Sequence, residues 1–417
     1  MRPSTLVPGL IALSAAALAQ PGYEGPGSFK ASQVLPPELR KGPHFEVQEQ
    51  VSTPGYFHEF RIRSDFGEMQ AEGISLLRTR LNEVDALARL QDVSKTEVFL
   101  SAAGNSVLNV GKGVVNVVAD PADTVKGVGA GIKRFGTNLG RKAKRGTSSS
   151  GDSDQKGDKS TADKAAEAGS DLARSALGVN GGMRRWAQKL QVDPYTTNPV
   201  LRKALEDVAK IDAAGGIAAK VAVPVPGIVG ATASVGNLVW GQDPEALLKL
   251  NEQRLAELGA DKQAAGALFR SKAFRLGYLT RFVAALHAVK APGCGAYADT
   301  ASEAESETQA LFFTESAELL QRLHQSEPVE KVLADSRALI AKTRDGRAVA
   351  LLPLDSLRWT EAFANAVKQA GARARAELGA KSLELRLSGR VSDRARQELK
   401  ALGWSVVESL QPAGPAS

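Results

Sequence analysis

The stretch FEVQEQVSTPGYFHEFRIRSDFGEMQAEGISLLRTRLNEVDALARLQDV, residues 45–93, changes its hydrophobic period part-way along. Before Gly73, apolar and polar residues alternate in three runs, 45–51, 56–64 and 68–73, with turn signals between them. Such alternation predicts β-strands, so we expect a three-stranded meander here. From Ile74 on, apolar residues recur every three or four positions, which is typical of an amphipathic helix whose apolar face covers a sheet.

The whole chain has the composition of a globular protein. Its 417 residues are 43% hydrophobic and 24% charged, so we expect two or three domains with sizeable cores. The single cysteine, Cys294, cannot form an internal disulfide, so packed cores must hold the protein together. Cys294 lies in APGCGAY, whose composition predicts a loop. We interpret it as a small residue in a turn, with a nucleophile or a dimer bridge as alternatives.

The first residues have the pattern of a secretory signal peptide. Arg2 precedes an apolar run at 6–18, and Ala17 and Ala19 form a small-residue cleavage site before Gln20. The apolar run is too short to span a bilayer as a mature helix. We therefore expect an exported protein, either periplasmic or secreted.

The sequence predicts an α+β fold that is mostly helical. Residues 141–168 contain no apolar side chain larger than alanine, so we expect a disordered linker between folded parts. The expected segments are a signal peptide (1–19), an extended Pro- and Gly-rich lead-in (20–43), the β-meander plus helices (44–140), the linker (141–168), a central helical domain (169–327) and a small α/β module (328–411).

Local signals place several elements in the two later domains. Asn198-Pro199 and Asp243-Pro244 each combine an N-cap residue with proline at the first helical position. In the C-terminal module, Arg344-Asp345-Gly346 predicts a hairpin turn. A helix over 360–371, a strand, a second helix and a final strand are expected to follow it, which gives a strand–helix–strand arrangement.

Two neighbouring blocks in the central domain carry opposite charge. Residues 262–298 contain six basic and no acidic side chains, and residues 299–318 contain six acidic and no basic ones. We interpret this pattern as two helices that pack antiparallel with complementary faces, which is a structural arrangement rather than a ligand site.

Most of the chain's charge excess lies in residues 101–146. This stretch has eight bases and two acids, a net +6 out of +7 for the whole chain. Val125, Val128, Ile132 and Phe135 share one helical face, and basic residues lie around and after it. A basic amphipathic helix with a basic tail is attracted to anionic lipid surfaces, although its glycines weaken the helix. The candidate contact comprises these four residues and Lys126, Lys133, Arg134, Arg141, Lys142, Lys144 and Arg145.

The alternatives for this basic stretch stay open in part. Thr137 replaces the lysine that a phosphate-binding loop needs, and Ile132 replaces the third glycine of a dinucleotide motif, so no cofactor is predicted. Export and the scarcity of aromatic residues argue against nucleic acid as a partner. An anionic membrane surface or an envelope protein remains as the expected partner, and a solvated surface helix remains as the plain alternative.

No catalytic or metal-binding motif is recognisable. The four histidines are far apart in sequence, and the chain has no G-x-S-x-G elbow. Residues 221–242 have no charged side chain and are interpreted as a buried loop and helix, a bilayer-inserting hairpin or the wall of a ligand pocket. We therefore expect an exported cell-envelope protein with a binding or scaffolding role. The alternatives are a hydrolase with a distributed catalytic site and a membrane-inserting protein that uses 221–242.

Overall fold

A computed structural model describes residues 22–96, 178–215, 218 and 233–408. The fold is α+β with helices predominating, as the sequence predicts. The expected signal peptide, the expected linker and every residue of the expected membrane contact lie outside the described residues.

The N-terminal part is an antiparallel half-barrel sheet of six strands. The strand order is β1-β4-β5-β3-β2, and β6 pairs with the free edge of β5. Two short helices, α1 (Ala31–Val34) and α2 (Pro37–Arg40), lie between the first two strands. The strands are β1 (Gly27–Lys30), β2 (Lys41–Gly42), β3 (Phe45–Val47), β4 (Gln50–Thr53), β5 (Glu59–Ser64) and β6 (Gly67–Glu72).

Two expectations for this region are wrong. The sheet is not a three-stranded meander, because the expected first strand is divided into β3 and β4, which pair with opposite ends of β5. The lead-in 20–43 is not merely extended, since it supplies β1, β2, α1 and α2. Both of its strands are short and lie at an edge of the sheet. They therefore show little of the apolar–polar alternation by which a strand is recognised in sequence.

Helix α3 (Ile74–Ser94) confirms the amphipathic helix expected after the strands. Gly73, with a φ of 95°, makes the turn from β6 into the helix, in a region of φ that favours glycine. The first half of α3 packs on the sheet, where Leu77 and Leu81 join Phe60 and Ile62 in the first hydrophobic cluster. Its second half belongs to a separate second cluster.

The second cluster is completed by helices from the central part. It buries Val93 of α3, Trp186 of α4 (residues 178–190) and Leu201 of α5 (Pro199–Gly215). The Asn198 Oδ1 accepts the N–H groups of Val200 at 3.0 Å and Leu201 at 3.3 Å, which confirms its expected role at the start of α5.

Six further helices are described in the central part. Asp243 caps α7 as expected, because its Oδ1 accepts the Ala246 N–H at 2.9 Å. Cys294, expected in a loop, is instead the first residue of α10, which begins directly after Gly293 with its φ of 96°. The helices are α6 (Ala233–Gly241), α7 (Pro244–Glu257), α8 (Lys262–Arg270), α9 (Leu276–Val289), α10 (Cys294–Ala301) and α11 (Glu307–Ser326).

The two charge blocks extend from α8 into α11, and two of their helices, α9 and α11, do pair, but in the opposite sense to that expected. Arg275 contacts Glu307, and Arg281 bonds both oxygens of Glu318 at 2.8 and 2.9 Å. The partner numbers rise together along the two helices, so the helices run parallel. The short helix α10 lies between them in sequence and returns the chain to the end from which α9 started.

The C-terminal part is a mixed sheet with the order β13-β11-β9-β8-β7. The expected hairpin is formed by β8 and β9, and β9, β11 and β13 are parallel. Two helices, α12 (Glu361–Leu378) and α13 (Asp393–Ala401), connect the parallel strands. The strands are β7 (Val329–Val332), β8 (Leu339–Thr343), β9 (Arg347–Leu352), β10 (Ser356–Leu357), β11 (Ser382–Leu387), β12 (Arg390–Val391) and β13 (Trp404–Val407), of which β10 and β12 form a separate pair.

This sheet is covered on both faces. Val349 of β9 belongs to the first cluster together with Leu320 of α11. On the opposite face, Ala350 belongs to a third cluster together with Val367 of α12 and Leu399 of α13. The first cluster therefore contains side chains from the half-barrel, the central helices and the C-terminal sheet, while the expected domain limits stay predictions.

The uncharged stretch 221–242 is described only in its last part. Helix α6 packs on the body there, since Val239 is buried and the Trp240 Nε1–H donates to the carbonyl oxygen of Val192 at 2.9 Å. In the described ranges, no helix has both the length and the hydropathy needed to cross a bilayer.

Candidate functional site

The described residues show where the stretch 97–177, which contains the expected membrane contact, joins the folded body. Helix α3 ends at Ser94, and α4 is described from 178 onward. Val93 and Trp186, from these two helices, are buried in the same cluster. The described residues on the two sides of this stretch therefore pack in one hydrophobic cluster.

A buried ion cluster is formed by Arg80, Glu83, Asp193, Arg275 and Glu307. The five residues come from α3, from the loop 191–198, from the N-cap of α9 and from the first turn of α11. Four segments that are distant in sequence thus meet at one set of charges.

Helix geometry explains why α3 carries charge into the interior. Glu83 precedes Leu87 and Leu90 by four and seven positions, so it lies on the apolar face of the helix, and it is 2% exposed. Arg80 lies one turn earlier and donates to the Glu83 Oε2 at 2.9 Å. This pairing provides the counter-charge that a buried carboxylate requires.

Two arginines share the carboxylate of Glu307. The Arg80 Nη2 donates to its Oε2 at 2.7 Å, and the Arg275 Nη2 contacts its Oε1. The Arg275 guanidinium also lies 3.9 Å above the ring centre of Tyr278. Stacking and ion pairing together position this guanidinium at the start of α9.

The remaining nitrogens of Arg275 face two further carboxylates at a longer distance. Its Nη1 lies 3.9 Å from the Glu83 Oε1, and its Nε lies 3.9 Å from the Asp193 Oδ2. Neither nitrogen makes a direct hydrogen bond with a described residue. Arg275 is therefore the central cation of the cluster and attracts three acidic side chains.

Charge and burial act in opposite directions on the acids of the cluster. Burial alone would raise the pKa of Glu307, but Arg275 and Arg80 outweigh it and bring the pKa to about 2. Burial raises the pKa of Asp193 above its ordinary value, and Arg275 offsets only part of that rise. Glu307 is therefore held ionised, so it is a weak base and keeps its ion pairs with both arginines.

The sequence predicted only part of this cluster. The opposite charge blocks predicted that two helices pair, although in the antiparallel sense, and they predicted none of the individual contacts of the cluster. A signal for Glu83 was present, because a charged residue interrupts the apolar stripe of α3. For Asp193, in a loop, no comparable pattern exists.

Each of the four histidines has its own structural environment. His58 is buried beside Thr53, with 2.6 Å between the Thr53 Oγ1 and the Nδ1, and burial lowers the pKa of His58 to about 4. His44 contacts Asp65 and His287 contacts Glu257, each at 2.8 Å. His324 accepts the N–H of Val329 at 3.1 Å. In the ranges that the structure describes, no histidine bonds both a carboxylate and a hydroxyl group.

Cys294 is fully buried at the start of α10. Burial raises the pKa of its thiol to about 11. Because the thiolate is the nucleophilic form, this environment makes Cys294 unreactive at neutral pH.

Among the described residues, no group of three or more His, Cys, Asp or Glu side chains has an arrangement that could hold a metal ion. The chain as a whole matches no protein-family model, no curated protein and no solved structure.

Proposed function

We propose that the protein is exported and acts in the cell envelope by binding or scaffolding, through a reversible contact of residues 125–145 with an anionic membrane surface. The leader pattern of residues 1–19 supports export. The observation that carries the proposal is the distribution of charge between the described body and the stretch inserted into it.

The body and the inserted stretch differ sharply in charge. The described residues contain 39 basic and 37 acidic side chains, a net charge of +2. Residues 101–146 alone contribute +6 from eight bases and two acids. Electrostatic attraction to an anionic partner therefore belongs mainly to this stretch.

The interactions inside the body support a binding role over chemistry. The charged side chains of the buried ion cluster are used to hold four segments together, and the histidines are bound to local partners. The membrane contact is then a peripheral addition to a self-contained fold, of the weak and reversible kind that a single amphipathic segment gives.

The test is co-sedimentation of the full chain with vesicles of phosphatidylglycerol or of phosphatidylcholine. We expect binding to the anionic vesicles only, and we expect it to weaken steeply with salt, because exposed charges are screened beyond about 8 Å at physiological ionic strength. Replacement by glutamine of six bases should abolish it, since each contributes about 1 kcal/mol. The six are Lys133, Arg134, Arg141, Lys142, Lys144 and Arg145.

A matched control removes six positive charges from the body instead. These side chains are all exposed, so their replacement should leave vesicle binding largely intact. Equal binding to neutral and anionic vesicles, or equal losses in both variants, would contradict the proposed contact. The control replaces Lys203, Lys210, Lys249, Lys262, Arg337 and Arg344 by glutamine.

Export has a separate test. Intact-mass measurement of the protein recovered from the exported fraction should give a chain that starts at Gln20 or its cyclised form. Recovery of a chain that still carries Met1 would contradict the expected cleavage.

A further inference from the structure

An open cleft of about 440 Å³ lies where α8 and α10 end. One wall is formed by the end of α8 and the residues that follow it, 267–273. The other wall is formed by the loop 302–305, which connects α10 to α11. The volume falls within the range of small-molecule sites, which is roughly 300–1,000 Å³. The cleft is therefore large enough for a small polar ligand.

The floor of the cleft consists of short side chains on an ordered backbone. Ala273 and Ala304 line it, are 4% and 8% exposed and belong to the first cluster. Ala267 of α8 lines it as well. The Ser271 Oγ accepts the N–H groups of Ala273 at 3.1 Å and Phe274 at 3.2 Å, which fixes the loop after α8. The space therefore results from small residues in a fixed part of the fold.

Three charged residues line the cleft without being paired. Arg270 and Lys272 belong to the wall at the end of α8, and Glu305 belongs to the opposite wall. All three are exposed, and none forms an ion pair with a residue that the structure describes. The Arg270 guanidinium lies along α8, with its Nη1 3.1 Å from the place where a Cβ atom of residue 266 would lie. One wall is thus positive and the other negative.

The acids next to Glu305 in sequence do have partners. Glu303 pairs with Arg337 at 3.2 Å, and Glu307 belongs to the buried ion cluster. At Glu305 only the backbone N–H is bonded, to the Gln309 Oε1 at 3.0 Å. The Glu305 carboxylate is therefore free to accept hydrogen bonds from a ligand.

Two serines and two helix ends add to the polarity of the cleft. Ser271 and Ser302 are the C-cap residues of α8 and α10. The Ser302 hydroxyl donates to the carbonyl oxygen of Asp299 at 2.7 Å, so its oxygen can still accept a hydrogen bond. A helix C-terminus carries about half a negative charge, so the end of α10 favours a cation beside Ser302. The end of α8 opposes an anion, but the two full positive charges of that wall outweigh it.

We propose that this cleft binds a small zwitterion that has a free ammonium group and a free carboxylate group. Arg270 and Lys272 bind the carboxylate of the ligand, and Glu305 and the Ser302 hydroxyl oxygen bind its ammonium group. A simple anion would be repelled by Glu305, and a simple cation would be repelled by the opposite wall. A ligand with both charges satisfies both walls, and it is either a free amino acid or a short peptide with free ends.

This inference goes beyond the proposed function and is independent of it, because it uses no residue of 97–177. Saturation-transfer NMR with the full chain measures the binding of alanine and of the dipeptide alanyl-alanine. We expect saturable binding of at least one of the two. Acetylation of the ligand's amine or amidation of its carboxylate should each weaken binding roughly tenfold or more, because each removes a charge-assisted hydrogen bond.

Two variants test the role of each wall. Glu305→Gln should lower the affinity for the free ligand and remove the discrimination against its acetylated form. Arg270→Gln should likewise reduce the discrimination against the amidated form. A residue with a merely structural role would change the affinity for free and blocked ligands by the same factor.

A third variant fills the cleft. Ala267→Leu places a large side chain at a half-buried position of α8, where leucine suits a helix, so the fold should be retained and binding should be lost. Circular dichroism checks the fold. Glu303→Gln and Lys262→Gln, an acid and a base outside the cleft, are the controls and should leave the affinity unchanged.

The two ligands separate the two sources of the zwitterion. Binding of alanine that Ala267→Leu abolishes supports a free amino acid, and binding of the dipeptide alone that the same variant abolishes supports a peptide. No saturable binding of either ligand overturns the proposal. Equal binding of free and blocked forms, or an affinity that is unchanged in both Glu305→Gln and Ala267→Leu, also overturns it.

Discussion

The carboxylate of Asp355 accepts a hydrogen bond from the backbone N–H of Ile74 at 3.1 Å, although 281 positions separate the two residues in sequence. It also accepts the N–H of His58 at 2.9 Å. One side chain from the loop after β9 thus holds the start of α3 and the residue before β5. Burial raises the pKa of Asp355 to about 6, although both N–H donors favour its charged form.

Replacing Asp355 by asparagine should destabilise the protein. The Oδ2 atom accepts both N–H groups, and the Oδ1 atom lies 3.2 Å from the Ile74 nitrogen. An asparagine that keeps both bonds through its one oxygen therefore places its NH2 group against the Ile74 N–H, donor against donor, at a cost of about 1–3 kcal/mol. The free energy of unfolding, measured by urea denaturation at pH 7, checks this. Asp335→Asn at an exposed position with a φ of 48° is the control and should change stability by less than about 0.5 kcal/mol. Equal stability of the two variants would contradict the role given to Asp355.

Removal of Arg275 should be more damaging. Arg275→Met removes the central cation of the cluster, so the buried carboxyl groups of Glu307 and Asp193 lose a counter-charge. Breaking a buried ion pair in this way costs about 3–5 kcal/mol. The double variant Arg275→Met/Glu307→Gln should recover part of that loss, since it also removes a stranded charge. Urea denaturation of the two single variants and the double variant gives the coupling energy, and a value near zero would show that the pair is not coupled.

Glu315 should make stability depend on pH. Burial raises the pKa of Glu315 to about 7, and Glu318 adds to the rise, while a hydrogen bond with Ser75 and the charge of Arg281 act against it. The folded protein therefore binds this proton more tightly than the unfolded chain does. The contribution of Glu315 to stability is complete below about pH 4.5 and is lost as the pH rises through about 7.

The variant Glu315→Gln lacks this titration. The difference in unfolding free energy, wild type minus variant, should fall by about 1–3 kcal/mol between pH 4.5 and pH 7.5. Urea denaturation at both pH values measures it. A difference that stays constant, or that grows with pH, would show that the carboxyl group is ionised in the folded protein at low pH.

Deletion of residues 97–177 should leave the body folded. Both flanking helices bury side chains in the second cluster, so a Gly- and Ser-rich linker of about 15 residues, with a reach of about 20 Å, should replace the stretch. A shorter connection lowers the entropic cost of bringing its two ends together on folding. The free energy of unfolding should therefore be equal or higher by up to about 1.5 kcal/mol. Circular dichroism and thermal unfolding check this, and loss of the cooperative transition would show that the body needs the deleted residues.

Cys294 should react with a thiol reagent only after unfolding. Its thiol is buried and its pKa is raised to about 11, so the thiolate is scarce and inaccessible at pH 8. The rate of labelling by a disulfide reagent, with and without denaturant, measures this. Rapid labelling of the native protein would favour the nucleophile or dimer-bridge interpretation instead.

The sequence by itself determined the elements whose signals are local. The change of period at Gly73, the caps at Asn198 and Asp243 and the turn at Arg344–Gly346 each depend on a few neighbouring residues, and the structure confirms the elements that they predict. The opposite charge blocks also predicted that α9 and α11 meet. The expected contact at 125–145 remains a prediction from charge and period alone.

Tertiary structure alone decided how these elements combine. The partner of a strand, the direction of one helix against another and the burial of Glu83 depend on residues far away in the chain, and no local pattern records them. Local propensity selects a helix or a strand, whereas close packing of distant surfaces selects which side chains meet, and that choice becomes visible only in the folded protein.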